Sequence, residues 1–243
     1  MDDDEKGIRK RLFPKSPARG DDLLYYPKTR TEDLGKTFEM AICKASGTEF
    51  CGNYKYHTPP PKLVSKLKEL SIIKNLTHVA AGGSRHDFKG DGYTVSAKTS
   101  KQNVGKVAPQ VVGQPSIERF RSIVGLEPEQ DVREYIYYHI RDLLSMFMEY
   151  TFDSQVLYYN QSRGELMRIR LVKPIDWSEI PLEWTRELEE WNNSNTVKIG
   201  RTSLLEIQVH SKSRSNLAIR WYIENLLDLF PRNFNIKTVA ISP

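Results

Sequence analysis

Asp87, Ser96 and Lys98 are the residues whose types and spacing suit work on a phosphate. They flank Lys89-Gly90-Asp91-Gly92, which contains a Gly-Asp-Gly turn signal. Beyond it, Tyr93, Val95 and Ala97 alternate with Thr94, Ser96 and Lys98, a period of two that predicts a strand with one apolar and one polar face. A hairpin turning at Gly90-Asp91 sets Asp87 opposite Thr94 and diagonal to Ser96, with Lys98 two residues on. Diagonal neighbours stand roughly 7–8 Å apart, a gap that one hydrated divalent cation bridges. The polar face then offers a carboxylate to hold Mg²⁺, a hydroxyl, and an ammonium that positions or activates water and stabilises charge on the phosphate. That is the layout of metal-dependent phosphodiester hydrolysis. The same pattern also suits an exposed strand face on which Lys98 is an edge charge against aggregation.

Several elements must position that face. Residues 1–30 are charged, carry Pro14, Pro17, Gly20 and Pro27, and have no apolar period, so they read as a mobile or wrapping arm before a single domain over 31–243. From Asp33 as N-cap, Phe38, Ala41, Ile42 and Ala45 share one helical face, with Glu39 beside it and Gly47 as stop. Pro59-Pro60-Pro61 breaks the chain before a helix through Leu63, Leu67, Leu70 and Ile73. Ile136, Ile140, Leu143, Leu144 and Phe147 predict a long acidic helix, and residues 154–173 a second hairpin around 160–164. Trp177, Trp184 and Trp191 are spaced by seven and read as helix core anchors. A strand 203–209, a helix from about 215 to 230 and a strand 236–241 close the chain. The fold class is α/β or α+β, with strands and helices interleaved.

Composition narrows the function. The net charge of +5 is segregated: residues 84–121 and 196–220 are rich in Lys and Arg, while 127–153 and 176–190 are acidic. Such a positive side suits a phosphate backbone. Cys43 and Cys51 form neither a disulfide framework nor a CxxC pair, no HxH or HExxH occurs, and the start Met-Asp-Asp-Asp-Glu-Lys is not a signal peptide. No GxxxxGK[ST], GxGxxG or GxSxG is present, and no apolar run suggests a membrane partner. A cytosolic protein is expected. Loops 99–103 and 210–216 mix cations with small polar donors, the types that contact phosphates and base edges. The expected DNA contacts are Arg85, Thr99, Ser100, Lys101, Gln102, Asn103, Lys106, Gln110, Gln114, Arg201, Gln208, Lys212, Arg214 and Asn216. A rival acid pair, Glu206 with Asp176 or Asp153, lacks a lysine at Gln208.

Asp87…Ser96-Ala97-Lys98 resembles the PD-(D/E)xK nuclease signature with its second acid replaced. Leu34-Gly35-Lys36-Thr37-Phe38-Glu39, then Ala81 to Asp87, then Ser96 to Val104 resemble in order the helix glutamate, metal aspartate and x-x-K strand of MspI-like type II restriction endonucleases. The resemblance covers about 33–121 as catalytic core, with DNA-recognition elements about 99–121 and 197–220, where Ile199-Gly200-Arg201 and Ile207-Gln208 are similar to a DNA-reading strand of relatives that cut short GC-rich sites. It implies a restriction-endonuclease-like mixed central sheet flanked by helices, and Mg²⁺-dependent cleavage of double-stranded DNA at a short, GC-containing site. Carried over by position, Asp87 is the metal ligand and Lys98 the catalytic lysine. Glu39 is then the acid ordering the lysine, a water or a second metal, and Ser96 a neutral ligand. A serine there holds Mg²⁺ more weakly unless Glu39 or the scissile phosphate compensates. It also implies a prokaryotic restriction-modification system with a cognate DNA methyltransferase, and a homodimer or second nuclease subunit remains open. The alternatives are a DNA-binding module with a degenerate nuclease fold and a structure-specific DNA repair nuclease.

Overall fold

The computed structural model describes residues 31–52, 58–80, 85–210 and 215–241; the expected arm 1–30 lies outside them, as do Lys212 and Arg214. The described helices are α1 (Thr31–Ser46), α2 (Pro61–Lys68), α3 (Ile117–Val124), α4 (Val132–Tyr138), α5 (Ile140–Phe152) and α6 (Ile223–Leu229). The strands are β1 (Thr77–His78), β2 (Phe88–Gly90), β3 (Tyr93–Ser100), β4 (Lys106–Val107), β5 (Gln155–Asn160), β6 (Glu165–Leu171), β7 (Leu182–Trp184), β8 (Ser194–Ile199), β9 (Thr202–His210), β10 (Asn216–Tyr222) and β11 (Phe234–Ala240). They form a six-stranded sheet, β1-β2-β3-β5-β6-β11, and a five-stranded sheet, β4-β10-β9-β8-β7. β3 and β5 run parallel, while the other pairings of the first sheet are antiparallel. The architecture is α+β, a mixed central sheet flanked by helices.

Alternating side chains of β5 build both cores. Leu157 and Tyr159 join Phe88, Val95 and Leu166 against Phe38 and Ile42 of α1 and Leu63 and Leu67 of α2. Val156 and Tyr158 face the other way, onto Leu144 and Phe147 of α5 and Leu205, Ile207, Ile219 and Trp221 of the second sheet. A strand buried on both faces reads as a near-continuous apolar run, as Val156-Leu157-Tyr158-Tyr159 does.

Five expectations are corrected. α1 begins at Thr31, so Asp33 lies inside the helix and is not its N-cap. The first hairpin pairs Lys89 with Thr94 and Gly90 with Tyr93, two residues away from the expected register. Its turn is Asp91-Gly92, because Gly92 supplies the left-handed φ of +77° that the tight reversal needs. The long acidic helix is two helices, α4 and α5, divided at His139. Asn216–Tyr222 is strand β10 and only 223–229 is helical, since cross-strand pairing with β9 overrides the mixed local pattern. Trp177, Trp184 and Trp191 anchor the core from irregular chain, β7 and the end of a 3₁₀ turn, not from a helix; Trp177 stacks on Trp221 and Trp184 packs on Trp191.

Candidate active site

β3 is central to the site. The backbone ladder of β2 starts at Phe88. Just before it, Asp87 donates its N–H to the Val95 carbonyl at 3.2 Å, and its Oδ2 accepts the Ala97 N–H at 2.7 Å. The carboxylate therefore takes the place of a backbone acceptor on the edge that β2 has left, one residue before Lys98. α1 supplies Glu39, 7% exposed. Its two oxygens accept Lys36 Nζ at 3.0 and 2.8 Å, and Oε2 lies 3.3 Å from His78 Nε2. His78 Nδ1 accepts the Cys51 N–H at 3.0 Å, so the proton of the neutral ring belongs on Nε2, where it donates to Glu39. Phe50 and Phe88 clamp the imidazole at centroid distances of 4.8 and 5.0 Å.

Charges converge on this point from four elements. Burial pushes the Asp87 carboxyl above its ordinary range and Glu39 adds to the push, while the Ala97 N–H, Lys98 and Lys36 pull it back. Burial likewise pushes the Lys98 ammonium down, opposed by Asp87, Glu39 and Asp153. Each charge is disfavoured by desolvation and partly restored by the other. A half-buried carboxylate beside an amine with a lowered proton affinity can bind a cation and handle a proton at the same place.

Ser96 differs from its expected setting. It is fully buried, with Oγ 2.9 Å from Ser154 Oγ and accepting Gln110 Nε2 at 2.9 Å. The polar face of β3 is thus covered at Ser96, by Ser154 and Gln110, while Thr94 and Lys98 stay partly exposed; the pattern of alternation does not distinguish a solvated polar residue from an internally bonded one. Gln110 is spent on Ser96, and Arg85 is held by Asp153 at 2.6 Å and lies over the Tyr150 ring at 4.7 Å. Lys106 pairs with Glu206 at 2.9 Å and lies over Tyr222. Thr99 and Lys101 are half-buried, and Ser100 is buried, its Oγ accepting the Gln102 N–H. Gln102, Asn103, Gln114 and Arg201 are exposed, while Gln208 and Asn216 are half-buried on adjoining strands of the second sheet. The rival Glu206 sits in that second sheet, held by Lys106 and Arg220, and Asp176 bonds Ser178.

Compared with known proteins, the chain is 38% identical over 215 residues to "Type II restriction enzyme CviAII" of Paramecium bursaria Chlorella virus 1. The likeness is to a restriction enzyme. It covers 85% of this chain and 62% of the relative, so the chain spans a little under two thirds of that protein's length. No family model matches, and no solved structure does. Among the described residues no helix is long and apolar enough to cross a membrane.

Lys36 and His78 are the site neighbours that the sequence reading missed. Lys36 was within reach of it, because residues three apart on a helix are neighbours and Lys36 lies three before Glu39. His78 carried no local signal: its place depends on β1 pairing with β2.

Proposed function

We propose that the chain is a type II site-specific deoxyribonuclease that hydrolyses a phosphodiester bond in double-stranded DNA. One observation carries this reading: Asp87 is locked by its Oδ2 to the Ala97 amide beside Lys98, with Glu39 in electrostatic reach of both. The 38% identity to a restriction enzyme supports the same reading.

The donor set fits Mg²⁺. Among the described residues no three His, Cys, Asp or Glu side chains gather into a cage. Mg²⁺ is ordinarily bound by one or two carboxylates, with water and substrate phosphate completing its shell. Asp87 would hold the ion. Glu39, tied to Lys36 and His78, is better suited to keep the neighbouring charges in place than to serve as a full ligand. Bound there, the cation would neutralise developing charge on the phosphate. Lys98, with its lowered proton affinity, orients the attacking water or takes its proton, and as an ammonium stabilises the phosphate oxygens. Ser96, closed off by Ser154 and Gln110, serves this reading by tying β3, next to Ala97, to Ser154 and to the loop carrying Gln110.

The finer reading places the chain in the MspI-like branch, with a short recognition site containing G·C pairs, a homodimer or second subunit, and a methyltransferase that shields host DNA. The motif order and exposed Arg201, a residue type that bonds guanine, support it. Incubation of the purified chain with plasmid and Mg²⁺ tests the function. Discrete limit fragments with constant end sequences are expected. Protection without cutting would instead favour a binding module, and nicking confined to branched or mismatched duplexes a repair nuclease.

A further inference from the structure

Glu224 is almost completely buried at the start of α6, far in sequence from the site, and accepts three hydrogen bonds from two segments, the loop after β3 and strand β5. Gly105 N–H reaches Oε2 at 2.6 Å; Tyr158 Oη and Asn160 Nδ2 reach Oε1 at 2.8 and 2.7 Å. Asn160 Nδ2 also lies 3.0 and 3.4 Å from the carbonyl oxygens of Gln102 and Asn103. The Gly105 carbonyl in turn accepts the Ile223 N–H at 3.0 Å, and Ser100 Oγ accepts the Gln102 N–H at 3.0 Å. The backbone of 100–105, which leaves the Lys98 strand directly, is therefore tied at three residues, Gln102, Asn103 and Gly105, to groups inside the molecule. The side chains of Gln102 and Asn103 remain exposed.

A buried carboxylate is a poor way to gain stability alone, since a packed apolar residue commonly does as well. Its particular property is the capacity of two oxygens to satisfy several converging donors. Here those donors belong to the loop, to β5 and, through Asn160, back to the loop carbonyls. Close packing reinforces the fixation: a Cβ on Gly105 would lie 1.8 Å from Tyr158 Oη.

We propose that Glu224 is a positioning residue for sequence discrimination: it fixes loop 101–105 so that the amide side chains of Gln102 and Asn103 meet base edges at set positions beside the scissile phosphate. Asn and Gln side chains bond the N6/N7 edge of adenine, so the prime target is an A·T pair. This rests on the nuclease reading above.

The test uses the full chain carrying Glu224→Gln, which keeps shape and one acceptor oxygen, and separately Asn160→Ala, which removes the tie to the loop carbonyls. Two quantities are read well below each variant's melting temperature. These are amide hydrogen exchange at 102–105, and kcat and KM on the cognate duplex and on duplexes differing from it by one pair. Exchange at 102–105 should rise about tenfold, the scale of one lost buried hydrogen bond, with β5 amides unchanged. Discrimination against an altered A·T pair should fall about tenfold, with kcat on the cognate site retained. Faster exchange with unchanged discrimination would overturn the proposal, because the loop would then not read the site. Unchanged exchange in both variants would overturn it too, because Glu224 would not hold the loop. If the wild-type chain cuts no duplex with Mg²⁺, the nuclease reading itself falls, an outcome distinct from the other two.

Discussion

The Asp87 carboxylate accepts the amide hydrogen of Ala97 at 2.7 Å, so the acid and Lys98 share one short stretch of β3 as their common frame. A side chain bonded to the backbone of its partner's strand keeps its distance from that partner when neighbouring loops move. Catalytic geometry needs this, since displacement by about 1 Å can cost on the order of a hundredfold in rate.

Lys98→Ala and Asp87→Asn should each lower the cleavage rate by at least about a hundredfold, the scale of one lost electrostatic contact in a transition state. Duplex binding in Ca²⁺ should stay near wild type. Plasmid cleavage and gel-shift titration measure the two. Wild-type cutting by either variant would remove that residue from the reaction.

Asp87→Asn, and Lys98→Met, which fills the lysine's volume without its charge, should stabilise the protein at neutral pH in the absence of divalent cations. The Asp87 carboxyl is pushed up, so the folded chain holds its proton more tightly than the unfolded one. The resulting cost is absent below about pH 4, grows as pH rises through the folded value, and is complete above it. Lys98 is pushed down, so its cost is complete below the folded value and disappears as pH rises towards about 10.4. Thermal melts should therefore show Asp87→Asn above wild type at pH 7.5 but not at pH 3.5, and the advantage of Lys98→Met shrinking between neutral and strongly alkaline pH.

Glu39→Ala should destabilise the fold by about 1–3 kcal/mol, because it leaves His78 Nε2 buried without its acceptor. Urea denaturation checks this. Adding His78→Phe, which can keep the aromatic stack with Phe50 and Phe88, should recover part of the loss. A fully additive pair would show that Glu39 and His78 act separately.

Gly105→Ala should cost about 1–3 kcal/mol through overpacking, since the new methyl meets Tyr158 Oη at 1.8 Å and Cζ at 2.9 Å. Tyr158→Phe in that background removes the nearer atom and should return part of the stability. A double-mutant cycle with no coupling would contradict the contact.

Among exposed cations, Arg201→Ala should reduce the slope of log binding constant against log salt by about one, as expected for one lost phosphate contact. Lys106, already paired with Glu206, should change that slope less when replaced.

The acid, the lysine and the hairpin joining them were legible from the residues, because a period of two beside a glycine turn is a local pattern and local sterics create it. So were α1 with its apolar face and the strands β5 and β6 around their turn. The hairpin register was not: Gly90 and Gly92, on either side of Asp91, offered two turns, and the one at Asp91-Gly92 is the one compatible with pairing to β1 and β5 on either side. Nor was the fate of Asn216–Tyr222, whose extended form depends on the β9 edge it completes. Ser96 shows the same limit, since a polar residue on an alternating strand is equally consistent with water and with Ser154, a partner 58 positions away. Sequence by itself determined which chemical groups stand just before β2 and on β3 and α1. Tertiary structure decided which of them meet, because desolvation and hydrogen-bond satisfaction depend on chain segments brought together only by the packed cores.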